Sequence, residues 1–299
     1  MVGLLAFGGM ICPAPALSAD VVIVKTKKFP LYDQAVEGFQ ERFKGSTSIL
    51  VMEGDYADTQ ALLTAISSEK PKVILAIGLK AAKLLKAEIQ NIPIVFCMAI
   101  NSSQIKAFSA SNVTGVDLEP SPADQLKAFR TALPGIKRIG IIYDPKRSQD
   151  FIDSLEKATR GQGIGLMARA VSERKEVPGA LGEVIGQAQA LWLIRDATVM
   201  SKEFFNHTLI MQFEKKIALL AYSEQFVHKG ALAAYAASYK GQGKKAAEMV
   251  QRILQGTPPI SLPMQTPEGR LSLNINSAEK AGFKIPPSVM KMPDLETFK

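Results

Sequence analysis

Ala190-Leu191-Trp192-Leu193-Ile194-Arg195-Asp196 decides how this chain is read, because a short apolar run stops abruptly at two charged residues. A buried strand has this look where its carboxyl end reaches solvent or a cleft, so Asp196 is placed at a strand's mouth. Ser201 then offers a helix N-cap with Glu203 in the first turn, and Phe205, Leu209 and Phe213 draw one apolar stripe along the helix. Lys215 and Lys216 complement its carboxyl end. Ile217 to Tyr222 is a second buried strand, opening into Ser223-Glu224-Gln225-Phe226. A weakly polar segment, Gly230 to Tyr239, precedes a helix predicted over Gln242 to Gln255, which stops at Gly256.

Outward from this stretch the same pattern repeats. Apolar runs at Val21 to Val24, Ser48 to Met52, Val73 to Ile77 and Ile94 to Ile100 alternate with helical stripes such as Tyr32, Val36, Phe39 and Phe43. That is a βαβαβαβ series, which folds as a parallel sheet with helices on its faces. A second series runs from Arg138 to Ser223, with strands at Ile139 to Tyr143, Ile164 to Ala170, Leu191 to Ile194 and Ile217 to Tyr222. Two similar blocks imply two similar lobes, and Asn101 to Pro134 is where the chain changes from one to the other. With 299 residues, 47% of them apolar, the chain can fill two ordinary cores.

The amino terminus differs from the rest. Val2 to Ile11 is uncharged and apolar, and Pro13 to Ala19 is rich in small residues, which reads as a secretory signal peptide over residues 1–19. Pro13 and Pro15 interrupt a run already too short to span a membrane. Once residues 1–19 are removed only Cys97 remains of the two cysteines, inside an apolar strand, and an inert buried thiol is expected there. The net charge of +8 is spread along helices without interleaved aromatics, so nucleic acid is not expected as a partner.

Catalytic constellations are hard to build from this inventory. The two histidines, His207 and His228, fit no nucleophile or metal spacing, and surface or packing roles are expected for both. Gly161-Gln162-Gly163-Ile164-Gly165 follows a helix and precedes a strand, the reverse of a phosphate loop, and reads as a helix stop. Gly241-Gln242-Gly243-Lys244 opens a helix, where capping is preferred over anion binding. No enzyme activity, cofactor or metal site is expected.

Several segments carry a family resemblance: Asp196-Ala197-Thr198-Val199, Gly230-Ala231-Leu232-Ala233-Ala234, Ala246-Ala247-Glu248-Met249 and Ile253-Leu254-Gln255-Gly256-Thr257-Pro258-Pro259, with Pro93 to Phe96, Asn112 to Val116, Leu133 to Gly140 and Leu273 to Asn276. Over roughly Asp20 to Pro287 the chain resembles the substrate-binding proteins of one bacterial ABC-transporter family. The resemblance implies an α/β fold of two doubly wound parallel-sheet lobes joined by a multi-segment hinge, type I periplasmic-binding-protein-like. Lobe 1 is expected to hold residues 20–118 and 230–258, and lobe 2 residues 119–229 and 259–299. It also implies capture of a small molecule, such as an amino acid, for a membrane permease; the leader adds export to a periplasmic or extracytoplasmic location, and a monomer is expected, the oligomeric state being left open by the sequence. A sensing receptor of the same fold, partnered by a membrane sensor, and an enzyme using the inter-lobe cleft are the competing classes.

Open α/β sheets bind ligands outside the carboxyl ends of their strands. The residues there are Lys25, Gly78, Leu79, Lys80, Asn101 and Ser102 from the first lobe. The second supplies Tyr143, Asp144, Asp196, Thr198, Ser223 and Phe226, with Tyr235 on the return crossing. The resembled family usually has a small hydroxylated residue where Leu79-Lys80 stands, a Ser-Asp-Pro type loop where Asn101-Ser102-Ser103 stands, and an Asp at Ser238. Those differences remove polar groups suited to a free amino acid's two charges. Asp196 has two readings: a polar anchor for a ligand, or a cap on the following turn through the Thr198 N–H.

Overall fold

The structure, a computed structural model, describes residues 19–99 and 111–299. All of the expected leader except Ala19 lies outside the described residues, as do Asn101 and Ser102. The first sheet holds β1 (Val21–Lys25), β2 (Thr47–Val51), β3 (Val73–Ile77), β4 (Ile94–Cys97) and β5 (Val113–Gly115). Its strands are parallel, in the order β2-β1-β3-β4-β5. Helices α1 (Pro30–Arg42), α2 (Thr59–Glu69) and α3 (Leu79–Glu88) connect the strands. Alternate residues of β1 feed opposite faces: Val22 and Val24 join Leu62, Ile66 and Leu85, whereas Val21 and Ile23 join Val36 and Phe39. Burial on both faces is why these strands read as continuous apolar runs.

The second sheet is built from β6 (Arg138–Tyr143), β7 (Gly165–Ala170), β8 (Ala190–Trp192), β9 (Ala218–Ala221), β10 (Ala233–Ala237), β11 (Gly269–Asn274) and β12 (Glu296–Phe298). The order is β12-β11-β10-β9-β8-β6-β7, and every pairing is parallel except β10 with β11. Around it lie α4 (Pro122–Ala132), α5 (Pro145–Thr159), α6 (Val177–Ile185), α7 (Lys202–Glu214), the short α8 (Glu224–His228) and α10 (Ile275–Ala281). The two-lobed α/β architecture stands as expected, with one antiparallel pairing added, so that β11 and β12 run against the other strands of their sheet.

Helix starts follow local chemistry. Ser121, Asp144 and Ser201 each accept a backbone N–H of the first turn, and Pro122 and Pro145 occupy the first helical position. The helix expected from Gln242 begins earlier, as α9 (Tyr239–Leu254), because Ser238 caps it by accepting from the Gly241 N–H at 2.8 Å. The expected stripe on α7 is corrected too. Phe205 is buried, but Phe213 is 38% exposed, and Thr208 and Gln212 are buried instead. Gln212 earns its place through polar satisfaction: its Nε2 donates to the Gly230 carbonyl at 2.9 Å and its Oε1 accepts from the Leu219 N–H at 3.3 Å.

The chain passes between the sheets three times: after β5, between β10 and α9, and before β11. The expected return to the first lobe at residue 230 is therefore too early, since β10 is paired in the second sheet. Conversely, residues after 258 do not leave the first sheet at once. Thr114 Oγ1 donates to the Leu262 carbonyl at 2.8 Å, and Gln265 pairs with Val116 in an isolated parallel bridge. Gln242, fully buried at the start of α9, ties the crossings together. It accepts from the Met98 N–H at 3.1 Å and donates to the Leu118 carbonyl at 3.2 Å.

Candidate functional site

At the mouth of the first sheet Lys25 ends β1, and its Nζ pairs with Asp33 Oδ1 at 2.5 Å. Thr26 Oγ1 donates to the Ile77 carbonyl and accepts from the Ala81 N–H, each at 3.1 Å. Gly78 precedes α3 at φ +95°, a backbone that L side chains rarely adopt. A Cβ there would also stand 2.6 Å from both Thr26 Oγ1 and the Tyr32 hydroxyl. Leu79 is half-buried and Lys80 exposed on the first turn of α3.

At the mouth of the second sheet the structure joins Asp144, Asp196 and Thr198 into one hydrogen-bonded cluster. Asp196 is 1% exposed. Its Oδ2 accepts from the Asp144 N–H at 2.8 Å and Ser148 Oγ at 2.7 Å, and its Oδ1 accepts from the N–H groups of Thr198 at 2.9 Å and Val199 at 3.3 Å. The bond from Thr198 required by the capping alternative is present, and three more accompany it. Asp144 Oδ2 accepts from the Thr198 hydroxyl at 2.7 Å. That bond, the Lys146 N–H and the neighbouring charges of Arg147 and Lys146 outweigh burial and hold the Asp144 carboxyl below its ordinary range.

Other predicted residues scatter. Tyr143 is buried within the core beneath the sheet. Ser223 caps α8. Phe226 lies behind Tyr222, edge-on at 4.9 Å, and against Phe205 at 4.6 Å. Tyr235 packs over Gly269 and lines a separate recess with Lys127 and Met292, apart from the other predicted residues. His207 and His228 are exposed, His228 lying edge-on to Phe298.

Between the sheets lies a cavity of about 180 Å³, walled by Leu31 and Gln34 of α1, by Tyr222 and Arg195 of the second lobe, and by Glu119 and Tyr239 of the crossings. A larger cavity of about 420 Å³ adjoins it, lined by Asp117, Arg147, Phe151 and Met264, and the two share Leu118, Glu119, Pro120 and Arg195. Arg195 Nε donates to Glu119 Oε1 at 2.5 Å, and its guanidinium carbon lies 4.4 Å from the Tyr222 ring centre. Burial pushes the Tyr222 phenol up against the opposing influence of Arg195. Burial, helped by Glu119, likewise raises the Asp117 carboxyl.

Glu119, Arg195, Tyr222 and Tyr239 were not in the predicted set, although two of them adjoin predicted residues. Arg195 directly precedes Asp196, at a bend closed by the Asp196 N–H donating to the Ile194 carbonyl at 2.9 Å; Asp196 is buried there while Arg195 lines the cleft. Tyr222 precedes Ser223, and both line the smaller cavity. Among the described residues no group of three or more His, Cys, Asp or Glu is placed to hold a metal, and no helix is long and apolar enough to cross a membrane.

A family model described as ABC transporter substrate binding protein matches residues 23–296. A tyrosine-binding protein of Clostridioides difficile (strain R20291) is 24% identical over 263 residues, covering 83% of this chain and 76% of that protein. Among solved structures, the ligand-free, open form of a Clostridium difficile substrate-binding protein with adhesive properties superposes with a TM-score of 0.74 at 20% identity, over 94% of this chain and 99% of that one. An ABC domain from Streptococcus pneumonia in complex with L-Trp gives 0.63 at 19% identity, over 94% and 100%. These structural likenesses establish the fold.

Proposed function

The chain belongs to the ABC transporter substrate-binding protein family, and on that premise we propose that the small molecule it captures is an α-amino acid, held as a monomer's ligand between the two lobes. The observation that carries this reading is a cavity whose walls come from both lobes and from the segments joining them. Only closure of the lobes brings every wall onto one small molecule, so binding is coupled to hinge movement. Tyrosine and tryptophan, the ligands named for two similar proteins, are the first to try. The aromatic surfaces of Tyr222 and Tyr239 suit such side chains.

The test is a thermal-shift and calorimetric screen over the amino acids, with small carboxylates and purines as competitors. A true ligand at one hundred times its Kd is expected to add about 2.7 kcal/mol to stability, and small-angle scattering is expected to show a monomer that contracts when it is added. No response to any amino acid would remove the ligand class. Binding without contraction would remove the closure.

Family members act outside the cytoplasm, and we propose that residues 1–19 direct export and are removed. Terminal sequencing of the extracytoplasmic protein is expected to begin at Asp20; an unprocessed chain confined to the cytoplasm contradicts this.

A further inference from the structure

We infer that Arg195 and Glu119 divide the recognition of a zwitterion between them, Arg195 taking the ligand's α-carboxylate and Glu119 its α-ammonium, with Tyr222 as the wall beside them. This rests on the amino-acid reading above and assigns the residues that would make it selective.

The pair occupies the boundary of both cavities, where residues from a crossing segment and from the second lobe meet. Its side chains are partly covered, at 34% exposure for Arg195 and 20% for Glu119. The single bond between them uses Arg195 Nε and Glu119 Oε1. Among the described residues, neither terminal nitrogen of Arg195 and not the second oxygen of Glu119 has a hydrogen-bond partner. A guanidinium one-third exposed at the edge of the cleft, with its terminal fork unused by the protein, can receive a planar anion, because carboxylates match that fork with two parallel bonds. The unused carboxylate oxygen beside it accepts from an ammonium.

Because the two groups touch, the vacant donors and the vacant acceptor lie side by side, as do the two charges on an α-carbon. This arrangement excludes as well as admits. A dicarboxylate of similar size would set a second negative charge against Glu119, and a simple amine would leave Arg195 unanswered. The position of Arg195 is fixed from below: its guanidinium rests on Tyr222, Tyr222 meets Phe226 edge-on, and Phe226 packs on Phe205. A stacked guanidinium loses little freedom on binding, which favours a directional contact.

The experiment is a ligand series against the parent and two variants. The probes are L-tyrosine and L-tryptophan, their amines lacking the carboxylate (tyramine and tryptamine), and their acids lacking the amino group. On the parent, removing either charge is expected to weaken binding roughly 10- to 100-fold. In Arg195→Gln the loss on removing the carboxylate should shrink to within about threefold while the loss on removing the ammonium persists; in Glu119→Gln the reverse should hold. The double variant, which leaves neither member of the pair alone in the cleft, should lose both discriminations at once and so tests the pair as a unit should either single variant fold poorly. Parent protein that binds an amino acid but is indifferent to the loss of either charge overturns the assignment alone, as do variants that keep the parent's discrimination. Parent protein that binds neither amino acid overturns the assignment together with the ligand reading beneath it.

Discussion

Asp196→Ala is expected to lower stability by roughly 3 to 5 kcal/mol, because it strands several buried donors at about 1 to 3 kcal/mol each, measured as a shift in the urea midpoint at constant slope. The side chain is 1% exposed and accepts from Asp144, Ser148, Thr198 and Val199. A carboxylate has about four acceptor positions, so the protein's own donors occupy them and a ligand would have to displace one. Alanine leaves those donors facing a cavity, and each buried donor without a partner costs about 1 to 3 kcal/mol, less whatever an entering water recovers. Asp196→Asn is expected to do less harm, because one oxygen can still serve Thr198 and Val199, and the amide, though it opposes the Asp144 N–H, can donate to the Ser148 hydroxyl once that hydroxyl rotates to accept. A loss below about 1 kcal/mol for alanine would mean that the carboxylate acts as a simple exposed cap. The neighbouring Asp144 adds a pH signature. Its folded-state pKa lies below the ordinary 3.8, so it contributes stability above that value and the contribution disappears as pH falls through the lowered pKa. Thr198→Val removes the main cause of the shift and should flatten that part of the acid limb.

Much of the fold was legible because parallel strands buried on both faces must be apolar nearly throughout. Val21 to Val24, Val73 to Ile77 and Ile217 to Tyr222 needed only their runs and bounding helices to be recognised. The strand Ala233–Ala237 was not, since a run of alanines around one tyrosine has neither β-branched bulk nor alternation, and its place between two partners is decided by the sheet. The antiparallel direction of Gly269–Asn274 is equally invisible, because strand direction depends on where the preceding crossing leaves the chain. On α7, period alone selected Phe213 for burial, whereas tertiary demand for an amide beside Gly230 and Leu219 buried Gln212. The site shows the same limit at finer scale. A charged end to the Ala190 run was readable, but which of Arg195 and Asp196 enters the cleft depends on the bend that the Asp196 N–H makes with the Ile194 carbonyl.

Gly243→Ala is expected to destabilise the protein by about 3 kcal/mol, the upper part of the ordinary range for overpacking, even though alanine is the better helix former by about 1 kcal/mol. The reason is the crossing of α1 and α9. A Cβ on Gly243 would stand 1.9 Å from the Ala35 carbonyl oxygen and 2.8 Å from the Phe39 nitrogen, and one on Gly38 would stand 2.0 Å from the Lys240 carbonyl oxygen. All three are helix backbone atoms, so no side chain can swing aside and the helices must separate. Separation would open the packing of Ala35, Phe39, Ala246, Ala247 and Val250. The surrounding pairs of Lys240 with Glu37 and Glu41 are exposed and can offset little of that loss. Gly182→Ala, on α6, is the control, because a Cβ there meets nothing within 4 Å and propensity alone should act. Thermal unfolding of the two variants should therefore move in opposite directions; stabilisation by both would show that α1 and α9 do not approach this closely. The effect should also reach the cleft, since Gln242 lies beside Gly243 and holds Met98 and Leu118 in place. A helix pushed outward at Gly243 would draw the Leu118 crossing with it and misplace Glu119, so weakened ligand binding is expected at temperatures where the variant is still folded.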